Sequence, residues 1–324
     1  MFENLPRRGD FGAQPLAGLF NPVMEDGSHL ASYFGLMLEG SWPYGVLRAE
    51  SGTVYALLRK VVGLTTRGLY IQRSGEDGLH IDPACFTAAS GGKVARNLRD
   101  GVDFYESSQY PGGPGFTVEL GSDHFEWEES GGLVRLEGTI AGPGFHVYTP
   151  WPGGGSYYTS LAYRAQGQIM GEEVTGFVGM DQSYLPHGID WNESPIWNRL
   201  QGAWIVFANE YHDGSVEWGH ISHGAERFTF ATIGDGTGSL LADTTKVSSV
   251  VEFSGLSRGF VDRIVYDCDG DAWEFVKEPA GDMLDFSAAR PGWFGQVGRV
   301  GRVGETRTRR RWWAWQEVFP SRLA

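Results

Sequence analysis

The sequence predicts an all-β protein of two β-barrel or β-sandwich domains with few short helices. Three observations carry this: alternation of apolar and polar residues is the dominant period, glycine and proline cut it into strand-length runs, and no helical period persists. Of 324 residues, 48 are Gly and 15 are Pro, which puts glycine at about twice its usual share. The length exceeds a typical domain of about 100–200 residues and predicts two of them. Hydrophobic residues make up 41% of the chain, enough to bury a sizeable core and to exclude disorder.

Thr53–Val62 (TVYALLRKVV) and Gly132–Ile140 (GLVRLEGTI) alternate and end at turn residues, so they read as strands. The best helix candidate is Pro83–Arg99. Gly91-Gly92 interrupts it at about 1 kcal/mol per glycine relative to alanine, leaving a short helix near Lys93–Leu98. Tyr110–Gly115 and Ala141–Gly144 are Pro/Gly loops. Thr149–Gly155 (TPWPGGG) lies near mid-chain and predicts the crossing between domains 1–150 and 151–324. Ser156–Arg164 (SYYTSLAYR) reads as a strand. Trp204–Tyr211 and Val216–His223 flank Asp213-Gly214, a hairpin signal because type I′ turns need positive φ at both central positions. Arg258–Asp267 and Asp271–Lys277 form a second hairpin around Cys268-Asp269-Gly270. Pro291–Gly304 reads as a loose segment before the final strand, Arg309–Phe319.

Several function classes drop out at this level. No run approaches the roughly 18 apolar residues of a membrane span, and Met1–Asp10 has no apolar stretch of the kind a secretory signal needs. Cys85 and Cys268 are the only cysteines; they allow one bridge at most and no cysteine-based zinc site, which fits a reducing, cytoplasmic setting. The net charge of −14 repels a phosphate backbone and argues against nucleic acid as a partner. The basic stretch at Arg307, Arg309, Arg310 and Arg311 then reads as a local surface strip or anion contact. No Gly-x-Ser-x-Gly elbow for a hydrolase nucleophile is present.

From Ser156 to Gly224 a particular order of features appears. Ser156-Tyr157-Tyr158 lies on a strand, and Gly176-Phe177-Val178-Gly179-Met180-Asp181 follows a Gly-rich turn. Gly202-Ala203-Trp204-Ile205-Val206-Phe207 comes next, and the Asp213-Gly214 hairpin closes the series. This order resembles the hydroxyneurosporene synthase family: the carotenoid 1,2-hydratases, their AttH-like relatives and the Diels–Alderases built on the same plan. In the N-terminal half the resemblance rests on His29–Leu38 (HLASYFGLML), where the family has an aromatic first strand. It implies two lipocalin-like β-barrel domains and a hydrophobic ligand. The hydratases carry Asp-His-x-Trp after the Gly-rich strand and use the His and a downstream acid for proton transfer. Here Asp181-Gln182-Ser183-Tyr184 stands instead. Asp181 matches, whereas Gln182 replaces the His and Tyr184 the Trp. Glutamine does not exchange a proton near neutral pH, so the resemblance extends to the scaffold and not to that proton-transfer pair.

Asp181–Trp191 (DQSYLPHGIDW) reads as a loop at a strand end, broken by Pro186 and Gly188. His187 is the acid/base candidate, since its ordinary pKa of about 6.5 lets it exchange protons near neutrality. Asp181 or Asp190 would orient it or act beside it, with Tyr184 or Tyr158 as hydrogen-bond donor. A capping role for Asp181 and a backbone hydrogen bond for His187 are the plainer alternatives. Tyr157, Tyr158, Trp191, Trp204 and Trp218 either line a ligand pocket or fill a barrel core, each burying roughly 150–250 Å². Ring faces in a pocket would also stabilise a carbocation. Glu210 is a candidate buried acid, its pKa raised by desolvation. Strand parity places Trp218, His220 and Ser222 on one face and Glu217, Ile221 and His223 on the other, so the two histidines do not converge on a metal. His220 is then a candidate for an interior pocket.

The expectation is a hydratase or dehydratase, isomerase or cyclase with neither metal nor cofactor. It would act by proton transfer on a hydrophobic, terpenoid- or polyketide-like small molecule. A non-catalytic carrier of such a ligand is the alternative from another class, and a carbohydrate-active β protein a third. Homo-oligomer formation stays open.

Overall fold

The computed structural model of the chain describes residues 16–22, 32–62, 65–87, 94–99, 102–107, 115–151, 154–255 and 259–323. The readings at Met1–Asp10, at His29–Ala31, at Gly91-Gly92 and over most of Tyr110–Gly115 lie outside them. The protein is almost entirely β, in two compact units: Met1–Ile71 with Asp82–Trp191, and Gln72–Ile81 with Asn192–Ala324.

The first sheet is built from β1 (Leu16–Phe20), β2 (Met37–Ala49), β3 (Val54–Val62), β4 (Thr65–Ser74) and β5 (Leu79–Ile81). It continues with β6 (Val94–Arg99), β7 (Val102–Ser107), β8 (Phe116–Leu120), β9 (His124–Glu129) and β10 (Val134–Ile140). β11 (Gly144–Trp151), β12 (Gly154–Ile169) and β13 (Glu172–Leu185) complete it. The ladder runs β5-β4-β3-β2-β13-β12-β10-β9-β8-β7-β6, with β11 joining β12 and β1 joining β11. Apart from β3–β4, these pairings are antiparallel in the registers of the described residues. The end of β4 from Gln72 and the whole of β5 go with the second unit, where Ile81 donates its N–H to Asp285 Oδ2 at 2.7 Å.

β12 sets the plan of the first unit. Its first half pairs with β11, from Trp151↔Gly154 to Phe145↔Ser160, and its second half with β10, from Ile140↔Tyr163 to Val134↔Ile169. Ala141–Gly144 is therefore a corner between two strands laid end to end, which a Gly-Pro-Gly run permits. Of Thr149–Gly155, expected as the interdomain crossing, the described residues lie on β11 and β12 and pair with each other or with Ser156, from Thr149↔Ser156 to Trp151↔Gly154, within the first unit. The chain passes to the second unit after Trp191, because β12 and β13 still belong to the first sheet.

The second unit holds β14 (Ala203–Tyr211), β15 (Val216–His223), β16 (Thr229–Asp235), β17 (Leu240–Thr244) and β18 (Val247–Phe253). It adds β19 (Val261–Cys268), β20 (Asp271–Asp282), the short helix α1 (Leu284–Ala288), β21 (Phe294–Arg302) and β22 (Arg309–Val318). The order is β17-β16-β15-β14-β22-β21-β20-β19-β18. Its edges, β17 and β18, are consecutive in the chain, and His223 Nδ1 on β15 bonds Ser249 Oγ on β18 at 2.7 Å. The sheet thus curls until its ends approach, as a barrel does.

Three local expectations change. Val94–Arg99 is a strand, since pairing with β7 from Val94↔Ser107 to Arg99↔Val102 overrides weak helical propensity. Pro291–Gly304 contains β21, whose Gly298 and Gly301 lie within a ladder to β20 and whose Gly295 pairs with β22. At Asp213-Gly214 only Gly214 has positive φ, and Tyr211 N–H bonds Ser215 O at 2.9 Å. The hairpin closes through a three-residue loop with glycine in the left-handed position.

One buried ion pair lies in the first unit. Arg59 and Glu129 have no side-chain exposure. Arg59 Nε donates to Glu129 Oε1 at 2.6 Å, its Nη2 donates to Oε2, and Trp127 Nε1 donates to Oε1 at 2.8 Å. The guanidinium lies 4.0 Å from the Phe116 ring centroid. Burial pushes the Glu129 carboxyl above its usual range, and Arg59 opposes that shift. Arg59→Met alone strands the carboxyl and should cost about 3–5 kcal/mol in denaturant unfolding. The double variant Arg59→Met/Glu129→Leu should recover much of that loss.

Candidate functional site

With a side-chain period of two, β12, β13 and β2 present two distinct faces. On one, Tyr158 and Ser160 of β12 stand opposite Ser183 and Asp181 of β13, which in turn stand opposite Gly40 and Trp42 of β2. The register shifts between Ser183↔Gly40 and Tyr184↔Leu38, so β2 carries one extra residue, Glu39. A bulge of this kind re-aims a side chain out of the alternation. Glu39 is turned to the Ser183 side, where Ser183 Oγ donates to its Oε2 at 2.7 Å.

Trp191 follows the turn after β13 and covers this face. Its ring centroid is 6.1 Å from Trp42 and 6.3 Å from Tyr158. Trp42 folds over Gly40, where an added Cβ would meet the indole at 2.9 Å, so only glycine allows that pose. Lys60 Nζ lies 5.3 Å from the Trp42 ring centroid. Burial raises the Glu39 carboxyl above its ordinary value; Ser183, Lys60 and the Trp191 backbone pull it back, and the Asp190 charge adds to the rise. Two further carboxylates, Asp181 and Asp190, are half-buried nearby in the sequence-predicted set. The face therefore offers a carboxyl biased toward its protonated form, carboxylates able to accept a proton, and three aromatic walls.

Tyr157 and Tyr184 occupy the opposite face. They pack on each other at 5.5 Å between centroids, and Tyr33 touches both at 5.2 and 4.9 Å. Tyr184 donates its hydroxyl to Gln182 Oε1 at 3.1 Å, so Gln182 also points away from Asp181. His146, which carried no sequence signal, sits here against Tyr157 and Phe20, at 6.1 and 5.7 Å. Burial lowers its pKa to about 3.

His187 is exposed in the turn after β13, and Asp181 is on the strand rather than in a loop, because β13 runs to Leu185. The structure thus brings Tyr158, Asp181 and Trp191 to one face, with Asp190 acting on Glu39 through its charge. Tyr184 and Tyr157 join the other face, and His187 joins neither. Trp204, Glu210, Trp218 and His220 belong to the second unit. There the His220 ring packs against Trp204 and Trp218 at 5.9 and 5.7 Å. Burial holds its pKa well below 6.5. Glu210 stands 3.5 Å from Arg311 Nε and 3.8 Å from Arg310 Nη1. Glu39 was missed by sequence reading because a bulge leaves no mark in an alternating pattern.

His146 and His220 bind fewer protons folded than unfolded, so stability is full above pH 6.5 and falls as pH drops below it. The urea midpoint should decline from pH 7 to pH 5. His146→Gln should make that decline shallower.

No family model matches the chain, and no curated protein matches it. Among solved structures, an AttH-like protein of Nitrosomonas europaea aligns with TM-score 0.53 at 14% identity, covering 94% of this chain and 100% of that one. CghA aligns with TM-score 0.50 at 14% identity, covering 97% of each. Kievitone hydratase of Nectria haematococca gives 0.48 at 10% identity over 98% of each. At such identities the likeness is one of fold, and this chain has the lipocalin-like all-β fold of AttH-like proteins.

Proposed function

We propose that the protein is a cofactor-independent enzyme that hydrates, dehydrates or cyclises a hydrophobic small molecule of terpenoid or polyketide type. The observation that carries this reading is Glu39: a bulge residue, raised in pKa by burial, held by Ser183 and flanked by Trp42, Trp191 and Tyr158. The acid role that the sequence assigned to His187 passes to this carboxyl.

In the hydration direction, Glu39 gives its proton to an alkene carbon. The aromatic faces stabilise the cation so formed, an attraction worth up to about 2 kcal/mol in a dry site. Water then adds to the cation and loses a proton to the Asp181 carboxylate, giving the alcohol. Proton exchange with solvent restores both groups. Dehydration is the reverse, and a ring closes where an internal alkene or hydroxyl replaces water. Tyr158 serves as hydrogen-bond donor to the substrate. Cys85 and Cys268 are buried, unbridged thiols, in keeping with a reducing, cytoplasmic setting. Among the described residues no helix is long and apolar enough to cross a membrane.

The test is incubation of the protein with isoprenoid and polyketide alkenes in isotopically labelled water, followed by mass spectrometry. A labelled alcohol or a new isomer is expected. Glu39→Gln should lower turnover at least about tenfold, given that general acids contribute 10²–10⁴. The wild-type rate should fall as pH rises through the Glu39 pKa, since the protonated form is the active one. Full turnover by the Glu39→Gln variant removes the assignment, and return of every compound unchanged makes the protein a carrier.

A further inference from the structure

β21 and β22 are joined by one hairpin, yet their ladder covers only Phe294↔Val318 to Val297↔Trp315. Beyond it β21 keeps to β20, through Val276↔Arg299 and Glu274↔Gly301 to Trp273↔Arg302. β22 keeps to β14, from Ala208↔Trp313 to Tyr211↔Arg309. The two strands split toward their own turn. The Val300 carbonyl is served across the gap by side chains, Asn209 Nδ2 at 2.9 Å and Arg309 Nη2 at 3.1 Å. A cavity of about 390 Å³ opens in the split, lined by Glu274, Arg299, Arg302, Glu305, Arg309 and Trp312.

Arginines and glutamates both line it, but two of the arginines have no acidic partner among the described residues. Glu274 accepts from Arg263 at 2.7 and 2.8 Å, and Glu305 accepts from Arg307. Both of those arginines lie outside the lining, and each also serves a second carboxylate, Arg263 with Glu252 and Arg307 with Glu217. The Arg307 hydrogen bonds hold Glu305 down at about 2. Arg309 bonds only neutral acceptors, Asn209 Oδ1 at 3.0 Å and the Val300 carbonyl. Arg302 bonds the Leu241 carbonyl at 3.1 Å, and Asp271 is 3.8 Å away. Arg299 is exposed and makes no hydrogen bond or ion pair among the described residues. Two guanidinium groups, Arg299 and Arg309, thus face one cavity with no carboxylate partner among the described residues, while Arg302 is held by Asp271, in a chain of net charge −14.

The cavity also has built walls. A Cβ on Gly301 would fall 2.1 Å from Arg309 Nη2, so the missing side chain is what lets that guanidinium lie along β21. Trp312 is fixed by its indole N–H to Glu278 Oε1 at 2.8 Å. Guanidinium groups recognise carboxylate and phosphate through paired hydrogen bonds, and the volume lies within the roughly 300–1,000 Å³ of small-molecule sites.

We propose that the split between β21 and β22 binds a small oxyanion, a carboxylate- or phosphate-bearing metabolite whose body lies against Trp312. This site lies within the second unit and does not depend on the Glu39 reading. The test is isothermal titration of the full chain with benzoate and with inorganic pyrophosphate, up to roughly 10 mM. Arg299→Glu is compared with Arg135→Glu, which makes the same charge change at an exposed arginine of the first unit. At least one anion should bind the wild type. Arg299→Glu should weaken it about tenfold or more, with Arg135→Glu within about twofold of wild type. A preference for benzoate names a carboxylate ligand, a preference for pyrophosphate a phosphate one, and either supports the site. Binding of neither anion, or equal weakening by both variants, overturns it.

Discussion

The first unit depends on the register of β12 against β13 and of β13 against β2. Thirteen consecutive pairs, Tyr157↔Tyr184 to Ile169↔Glu172, fix the first of these. A slip of one residue would exchange the faces, placing Asp181 and Tyr158 with His146 and sending Tyr157 and Tyr184 to the side of Trp42. Both faces are heavily buried at these positions, so either mistake would desolvate a carboxylate or strand an aromatic cluster. The bulge at Glu39 then departs from that register at one point only. It adds a carboxyl to a face whose alternation would otherwise have supplied serine, glycine and tryptophan.

Desolvation is what gives the titratable groups their different characters. Burial raises Glu39 and Glu129 alike, yet their surroundings differ. Glu129 meets a guanidinium with two hydrogen bonds and serves cohesion. Glu39 meets a serine hydroxyl, the charge of Lys60 and that of another acid, which leaves it able to trade a proton. The same force keeps His146 and His220 neutral, so two histidines that look like catalysts by type act as buried imidazoles among rings. His187 is exposed on a turn and joins neither face.

The second unit shows a different use of β geometry. Where β21 and β22 part, side chains replace the missing ladder. Asn209 and Arg309 satisfy Val300, and the gap they bridge becomes a cavity lined by arginines and glutamates. An acidic protein gains there a place that favours anions, which composition alone would never indicate. The basic stretch near the C-terminal strand was read as a surface strip or anion contact. The structure divides it: Arg307 pairs with Glu217 and Glu305, while Arg309 turns into the cavity.

The sequence by itself determined the fold class and many of its strands, because alternation and Gly-rich turns are local signals that each segment carries alone. Val216–His223 matches its strand residue for residue, and Trp204–Tyr211 and Arg309–Phe319 differ by one residue at one end. Of the candidate site it identified Tyr158, Asp181 and Trp191, whose parity or position follows from one strand and the turn after it. Only the tertiary structure decided the rest. Glu39 is some 140 positions from Ser183, and it meets that hydroxyl through a bulge that exists only once β2 lies beside β13. The unit boundary after Trp191 and the parting of β21 from β22 are likewise set by which strands pair, and pairing between distant segments is not written in either segment.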